Sequence, residues 1–192
     1  MEGNELALIV GLAVIVLGLV AWLYLQKQRS SRLRSRFGSE YEHLISETGN
    51  RRKAEALLER REQRVRRLSL RRLAEADRDR FVKRWHQAQA HFVDNPGAAL
   101  RDADELVEDL LQAKGYPPAD FEQRAGDVSV DHPQVIPKYR TAHDIATKER
   151  HDAASTEELR QAFVCFRELF EELLEIRKPE EMEEKHEFTV RR

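Results

Sequence analysis

The chain has 192 residues, enough for one folded domain with an appended segment and too short for two full domains. Charged residues make up 35% of it, yet the formal net charge is −2 and the sequence pI is about 6.4, which argues against a dedicated nucleic-acid-binding protein. A single cysteine, Cys165, excludes an intramolecular disulfide.

The near-neutral balance conceals a sorted distribution. Residues 1–26 carry only Glu2 and Glu5, for −2; residues 27–84 hold 19 Lys/Arg against 9 Asp/Glu, for +10; residues 85–192 hold 14 against 24, for −10. Combined with the hydrophobic periodicity, this predicts an all-α chain in four parts. The parts are a transmembrane anchor over 1–26, a basic juxtamembrane helical arm over 27–75, a four- or five-helix domain over 76–177 and an acidic, disordered tail over 178–192.

From Leu6 to Leu25 run twenty residues without a charge, thirteen of them Leu, Ile or Val. As a helix this run is ~30 Å long, the thickness of the hydrocarbon layer. Its aliphatic side chains favour insertion by roughly 4–8 kcal/mol. Trp22 and Tyr24 stand at its C-terminal end, where amphipathic rings prefer the headgroup level. A cleaved signal peptide needs a basic leader and a small-residue cleavage site, and the leader here is MEGNE. Lys or Arg is absent before the run, while Lys27, Arg29, Arg32, Arg34 and Arg36 follow it. The positive-inside rule then predicts an outward N-terminus and a cytoplasmic C-terminal domain in the cell membrane, with those five cations contacting anionic lipid headgroups. Ala7, Gly11, Gly18 and Ala21 share one helical face, a candidate packing face for a homo-oligomer formed through the bilayer.

Beyond the anchor, Leu33, Phe37, Tyr41 and Leu44 recur at helical spacing, so the helix is expected to continue. Gly49-Asn50 reads as a break, and a second basic helix is expected from Arg51 to Leu73, with Glu55 and Glu59 placed to pair with Arg60 and Arg64. The cations of 51–72 suit either anionic lipid or the acidic second half of the same chain. They lack the aromatic side chains on which single-stranded nucleic acid would stack, since none occurs between Tyr41 and Phe81.

Five further helices are expected. Phe81, Trp85, Ala88 and Phe92 form one apolar face; Asn95-Pro96 opens a second helix with Ala99, Ala103, Leu106, Val107, Leu110 and Leu111 inward, closed by Gly115 and Pro117-Pro118. A short helix from near Pro118 carries Phe121, Ala125 and Val128, and another carries Val135, Tyr139, Ala142 and Ala146. Ser155 with Glu158 makes a capping box for the most regular helix, whose Leu159, Phe163, Phe166, Phe170 and Leu173 read as a domain seam.

Signatures of catalysis and of metal binding are missing. Glu40…His43 and Glu183…His186 match half of a di-metal carboxylate pattern, yet neither falls in a core helix, and His86…His91 has a five-residue spacing that splays the rings apart. Cys165, between Phe163 and Phe166, reads as a buried, inert thiol. No cofactor is expected. Arg124, Asp127, Asp131 and His132 form a candidate polar cluster in a segment dense in turn and cap residues.

The runs RFGSEY, FVDNP, GYPPADFEQRAGDVSVDHP, YRTAH and STEELRQAFVCFRELFEELL together resemble a family of uncharacterised bacterial proteins with one N-terminal transmembrane helix and a helical cytoplasmic domain. The resemblance covers about residues 33–175 and implies no activity. The Ile136-Pro137 pair departs from the family pattern and leaves the start of that helix open. The sequence therefore points to a membrane-anchored, non-enzymatic helical interaction or scaffold module with an unknown protein partner. The alternative is a tethered sensor or regulator of a small ligand or nucleic acid.

Overall fold

The computed structural model describes residues 2–175, with side chains except at 2–10 and 12–14; the tail 178–192, expected to be disordered, lies outside the described residues. Among the described residues the chain is all-helical, with eight α-helices, one short 3-10 turn and no strand. It divides into two compact units, residues 1–58 and 59–192.

In the first unit, α1 (Glu2–Phe37) is one uninterrupted helix, followed after Gly38 by α2 (Ser39–Thr48) and, after the Gly49-Asn50 break, by α3 (Arg51–Val65), which crosses into the second unit. The helix expected to continue along Leu33, Phe37, Tyr41 and Leu44 is interrupted at Gly38, whose φ is +52°, yet all four side chains are buried, together with Ala54 and Leu58 of α3. No helix of the described residues is long and apolar enough to cross a membrane. The run Leu6–Leu25 lies only partly within them, because the side chains of 1–10 and 12–14 are not described.

The second basic helix is shorter than its arginines suggested. It ends at Val65, and residues 69–74 form an extended strap instead of continuing to Leu73. Two observations explain the change. Leu68 and Leu70 alternate around exposed Ser69 and both pack against the core, a period of two that a helix cannot deliver. The Arg71 amide donates to the Lys114 carbonyl (2.9 Å) and its guanidinium Nε to Ala113 O (2.9 Å), so the strap's polar groups find partners at the C-terminus of another helix. Gly115 is required at that crossing. Its φ is +101°, and a Cβ there would lie 2.6 Å from the Ser69 carbonyl oxygen.

The remainder is a five-helix domain. α4 (Glu75–Asp94) packs on α5 (Pro96–Lys114); α8 (Thr156–Leu173) packs on α5 and on α7 (Ile136–Glu149); and α6 (Phe121–Val128) leans on α7. Three of these helices start at a side-chain cap. The Asn95 side chain accepts from the Ala98 amide ahead of Pro96, the Asp120 side chain accepts from the Gln123 amide, and Ser155 with Glu158 forms the reciprocal capping box. A 3-10 turn at Pro133–Val135 delivers the chain to a helix beginning at Ile136, so Pro137 occupies the first turn, where its missing amide hydrogen costs nothing.

The core is organised around Trp85. Its ring stacks on Phe170 (centroids 4.9 Å apart, 20° between planes) and tilts against Phe163 (5.0 Å), which in turn meets Phe92 (4.9 Å). Phe166 is fully buried on the same helix and meets Tyr139 edge-on at 6.3 Å. Replacing Trp85 by Ala is expected to destabilise the domain by about 3–5 kcal/mol. Urea denaturation followed by far-ultraviolet circular dichroism checks this, the expected sign being a lowered midpoint at unchanged slope.

Candidate functional site

The five cations expected at the lipid surface, Lys27, Arg29, Arg32, Arg34 and Arg36, are all exposed on the last third of α1. They alternate with buried Ser30, Leu33 and Phe37, so this stretch of helix is divided between a packed stripe and a basic face. Arg34 reaches Glu42 of α2 at 2.9 Å, an exposed pair worth little in water. Of the candidate packing face, Gly11 and Gly18 would each admit a Cβ with nothing within 4 Å, Ala21 is exposed, and the Ala7 side chain lies outside the described residues.

The packed stripe holds a feature the sequence reading assigned differently. Glu55 does not turn to Arg60. Its Oε1 is buried, where it accepts from Ser30 Oγ (2.6 Å), Tyr41 OH (2.9 Å) and Arg51 Nε (3.1 Å). Burial pushes the carboxyl upward, but the hydrogen bonds from Ser30, Tyr41 and Arg51 outweigh it and hold Glu55 below its ordinary range. One carboxylate thereby ties the end of α1 to α2 and α3. The sequence carried one signal of this: Glu55 directly follows Ala54 on the inward side of α3, three residues before Leu58.

In the second unit the residues expected to form one polar cluster go to separate partners. Arg124 donates Nε to the buried Tyr139 hydroxyl (2.6 Å) and pairs with Glu108 (2.6 Å). Asp127 is buried and accepts from Arg64 (3.1 Å) and Gln123 (3.1 Å); burial dominates and raises its carboxyl despite those partners. His132 meets Glu172 of α8 through Nδ1 (3.0 Å), and Asp131 is exposed. The residues are close in sequence, but α6 and its following turn aim them toward α5, α3 and α8 in turn. The cluster is therefore a set of ties between helices.

A different polar site emerges beside Arg124. A cleft of about 240 Å³ is lined by Leu100, Arg101, Asp104, Glu105 and Glu108 of α5 and by Ala146, Glu149 and Arg150 at the end of α7. Asp104 is its unusual member. Burial, then the neighbouring Glu108, push its carboxyl up to about 6, against the pull of Arg124 and Arg150, and its Oδ1 is buried without a hydrogen-bond partner among the described residues. The residue falls in phase with the apolar stripe, four after Leu100 and three before Val107, and that offset was the available signal. Nearby, the His143 ring stacks on Phe121 (3.6 Å, 3°), and burial followed by Arg150 and Arg124 favours its neutral form.

Among the described residues no group of three or more His, Cys, Asp or Glu side chains is placed to hold a metal ion. Glu40 is buried and His43 exposed, so that half-motif does not converge; Glu183 and His186 lie outside the described residues; His86 and His91 are exposed on α4. Cys165 is half-buried rather than fully buried, and burial, with Glu168 next, raises its thiol, the reverse of an activated nucleophile.

Two outcomes follow from the buried carboxylates. A raised acid contributes its full stabilisation below its unfolded pKa, and that contribution is lost as pH rises through about 6. Asp104→Asn is thus expected to raise stability by about 2 kcal/mol at neutral pH. The gain should shrink as pH falls toward 4, which denaturant titrations across that range would measure. Glu55 behaves in the opposite sense, contributing above its ordinary pKa and losing the contribution as acid protonates it. Glu55→Ala leaves Ser30 and Tyr41 without their acceptor, and is expected to cost about 1–3 kcal/mol. Faster amide exchange in α2 and in residues 51–58 at neutral pH would register that loss.

Comparison with protein-family models, with curated proteins and with solved structures finds no match to this chain.

Proposed function

We propose that this protein is a membrane-anchored, non-enzymatic helical interaction module at the cytoplasmic face. α1 would insert through Leu6–Leu25, and the basic end of α1 would rest on anionic headgroups. The observation that carries the reading is the exposure of the apolar helix. Ile15, Val16, Leu17, Leu19, Val20, Trp22, Leu23 and Leu25 each leave half or more of their surface uncovered, on every side of α1. An aqueous helix buries one stripe; a helix apolar all round needs an apolar surrounding. The charge step from no cation before the run to five within ten residues after it favours an outward N-terminus. Gly11, Gly18 and Ala21 would let a second copy approach α1 closely in the bilayer.

The part proposed to meet a partner is the five-helix domain, whose α5 presents Asp102, Glu105 and Asp109 on its exposed side. The reading as a tethered sensor of a small ligand rests on one observation, the polar cleft around Asp104, where Glu105, Glu108 and Glu149 face Arg101 and Arg150 and would suit a ligand that is itself charged.

The membrane reading is tested by fractionation. The wild-type chain is expected to stay in the membrane pellet after an alkaline wash. The double variant Leu17→Arg, Val20→Arg should be released, because two mid-span arginines cost about 5–7 kcal/mol, comparable with what the run gains on insertion. Release of the wild-type chain under the same wash would sink the reading.

A further inference from the structure

The strap between α3 and α4 is short of counter-charge. Arg66, Arg67, Arg71 and Arg72 are all exposed on it or on the turn leading into it. Arg66 has a loose partner in Glu62 (3.6 Å), and the Arg71 guanidinium is spent on a carbonyl. Among the described residues Arg67, Arg71 and Arg72 pair with no carboxylate. Four guanidinium groups within seven residues repel one another, at a cost that falls when an anion approaches.

Where the described chain ends bears directly on what that anion is. Arg71 is hydrogen-bonded through its amide to Lys114 O, and the Lys114 side chain is buried and donates to Leu173 O (2.7 Å), with Glu175 3.7 Å from the same ammonium group. A single lysine therefore touches both the strap and the residue from which the last seventeen residues of the chain depart. Those seventeen hold five glutamates against five Lys/Arg, but the charges are sorted: all five glutamates fall within positions 180–187, EEMEEKHE, against one lysine, with Arg177, Lys178, Arg191 and Arg192 outside it. They begin five residues beyond Glu175, and an extended chain of five to twelve residues reaches ~17–40 Å, ample for a strap anchored one side chain away.

We propose that the acidic segment Glu180–Glu187 docks on the arginines of the strap, so that the chain supplies the counter-charge for its own basic segment. The attachment makes the encounter intramolecular, and its effective concentration is in the millimolar range for so short a connection. A free anion must compete against that concentration. The contact is electrostatic and exposed, so it weakens as salt shortens the Debye length. It does not depend on the membrane reading.

Hydrogen–deuterium exchange on the full chain in a neutral detergent micelle tests this, with α5 and α8 amides as the internal control for folding. The comparison variant carries Glu180→Gln, Glu181→Gln, Glu183→Gln, Glu184→Gln and Glu187→Gln. Amides of residues 66–74 are expected to exchange about fivefold faster in the variant, and wild-type chain in about 1 M salt should behave likewise. Charge reversal on the strap, Arg67→Glu with Arg72→Glu, should also lose protection, and lysines at the five glutamate positions should restore it. Equal exchange in wild type and the glutamine variant would overturn the proposal. So would protection of the strap that appears only when phosphatidylserine is added to the micelle, since lipid would then be the occupant.

Discussion

The stacking of Trp85 between Phe163 and Phe170 is the contact on which the second unit is built. It joins α4 to α8, and α8 in turn backs onto α5 and α7, so four of the five helices of that domain meet around rings contributed by two of them. Aromatic side chains suit this role because each buries a large apolar area with few rotamers to freeze. The consequence is visible at the periphery. With the middle of the domain filled by aliphatic and aromatic groups, its polar residues are driven to the ends and flanks of helices, where Arg124, Asp127 and His132 fasten one element to the next.

Two buried carboxylates illustrate how location decides the state of the same chemical group. Glu55 is surrounded by donors from three helices and is held as the anion, so its hydrogen bonds outweigh the cost of its burial and strengthen the unit that contains it. Asp104 lies beside Glu108, with its arginines on the far side of the balance, and burial pushes its proton affinity up. A carboxyl kept at such cost, at the edge of a cleft, is the type of group that proteins use for binding, whereas Glu55 is fully occupied as a tie.

Much of the fold was legible in the sequence because helices announce themselves by period and by caps. The Ser155–Glu158 box, the Asn95-Pro96 start and the Gly115 stop are local chemistry, decided by residues within four positions of one another. The strap was misread because arginine-rich sequence has high helix propensity, while the alternation of Leu68 and Leu70 has meaning only where a core is present to receive it. Pro137 was ambiguous for a related reason: whether it breaks a helix or opens one depends on where the preceding turn delivers the chain.

The candidate sites divide along the same line. The basic face of α1 could be read directly, since charge and periodicity coincide over ten residues and require no distant partner. The polar cluster could not, because Arg124, Asp127 and His132 are neighbours only in sequence, and their partners Tyr139, Glu108, Arg64 and Glu172 come from four other helices. Sequence by itself determined the helical class, the helix ends set by caps, the inward faces and the sorting of charge, all of which depend on interactions spanning a few residues. Tertiary structure alone decided which buried carboxylate is satisfied and which is not, where α3 stops, and which side chains surround the cleft. Those depend on the meeting of residues tens of positions apart, and on whether water has been removed from between them.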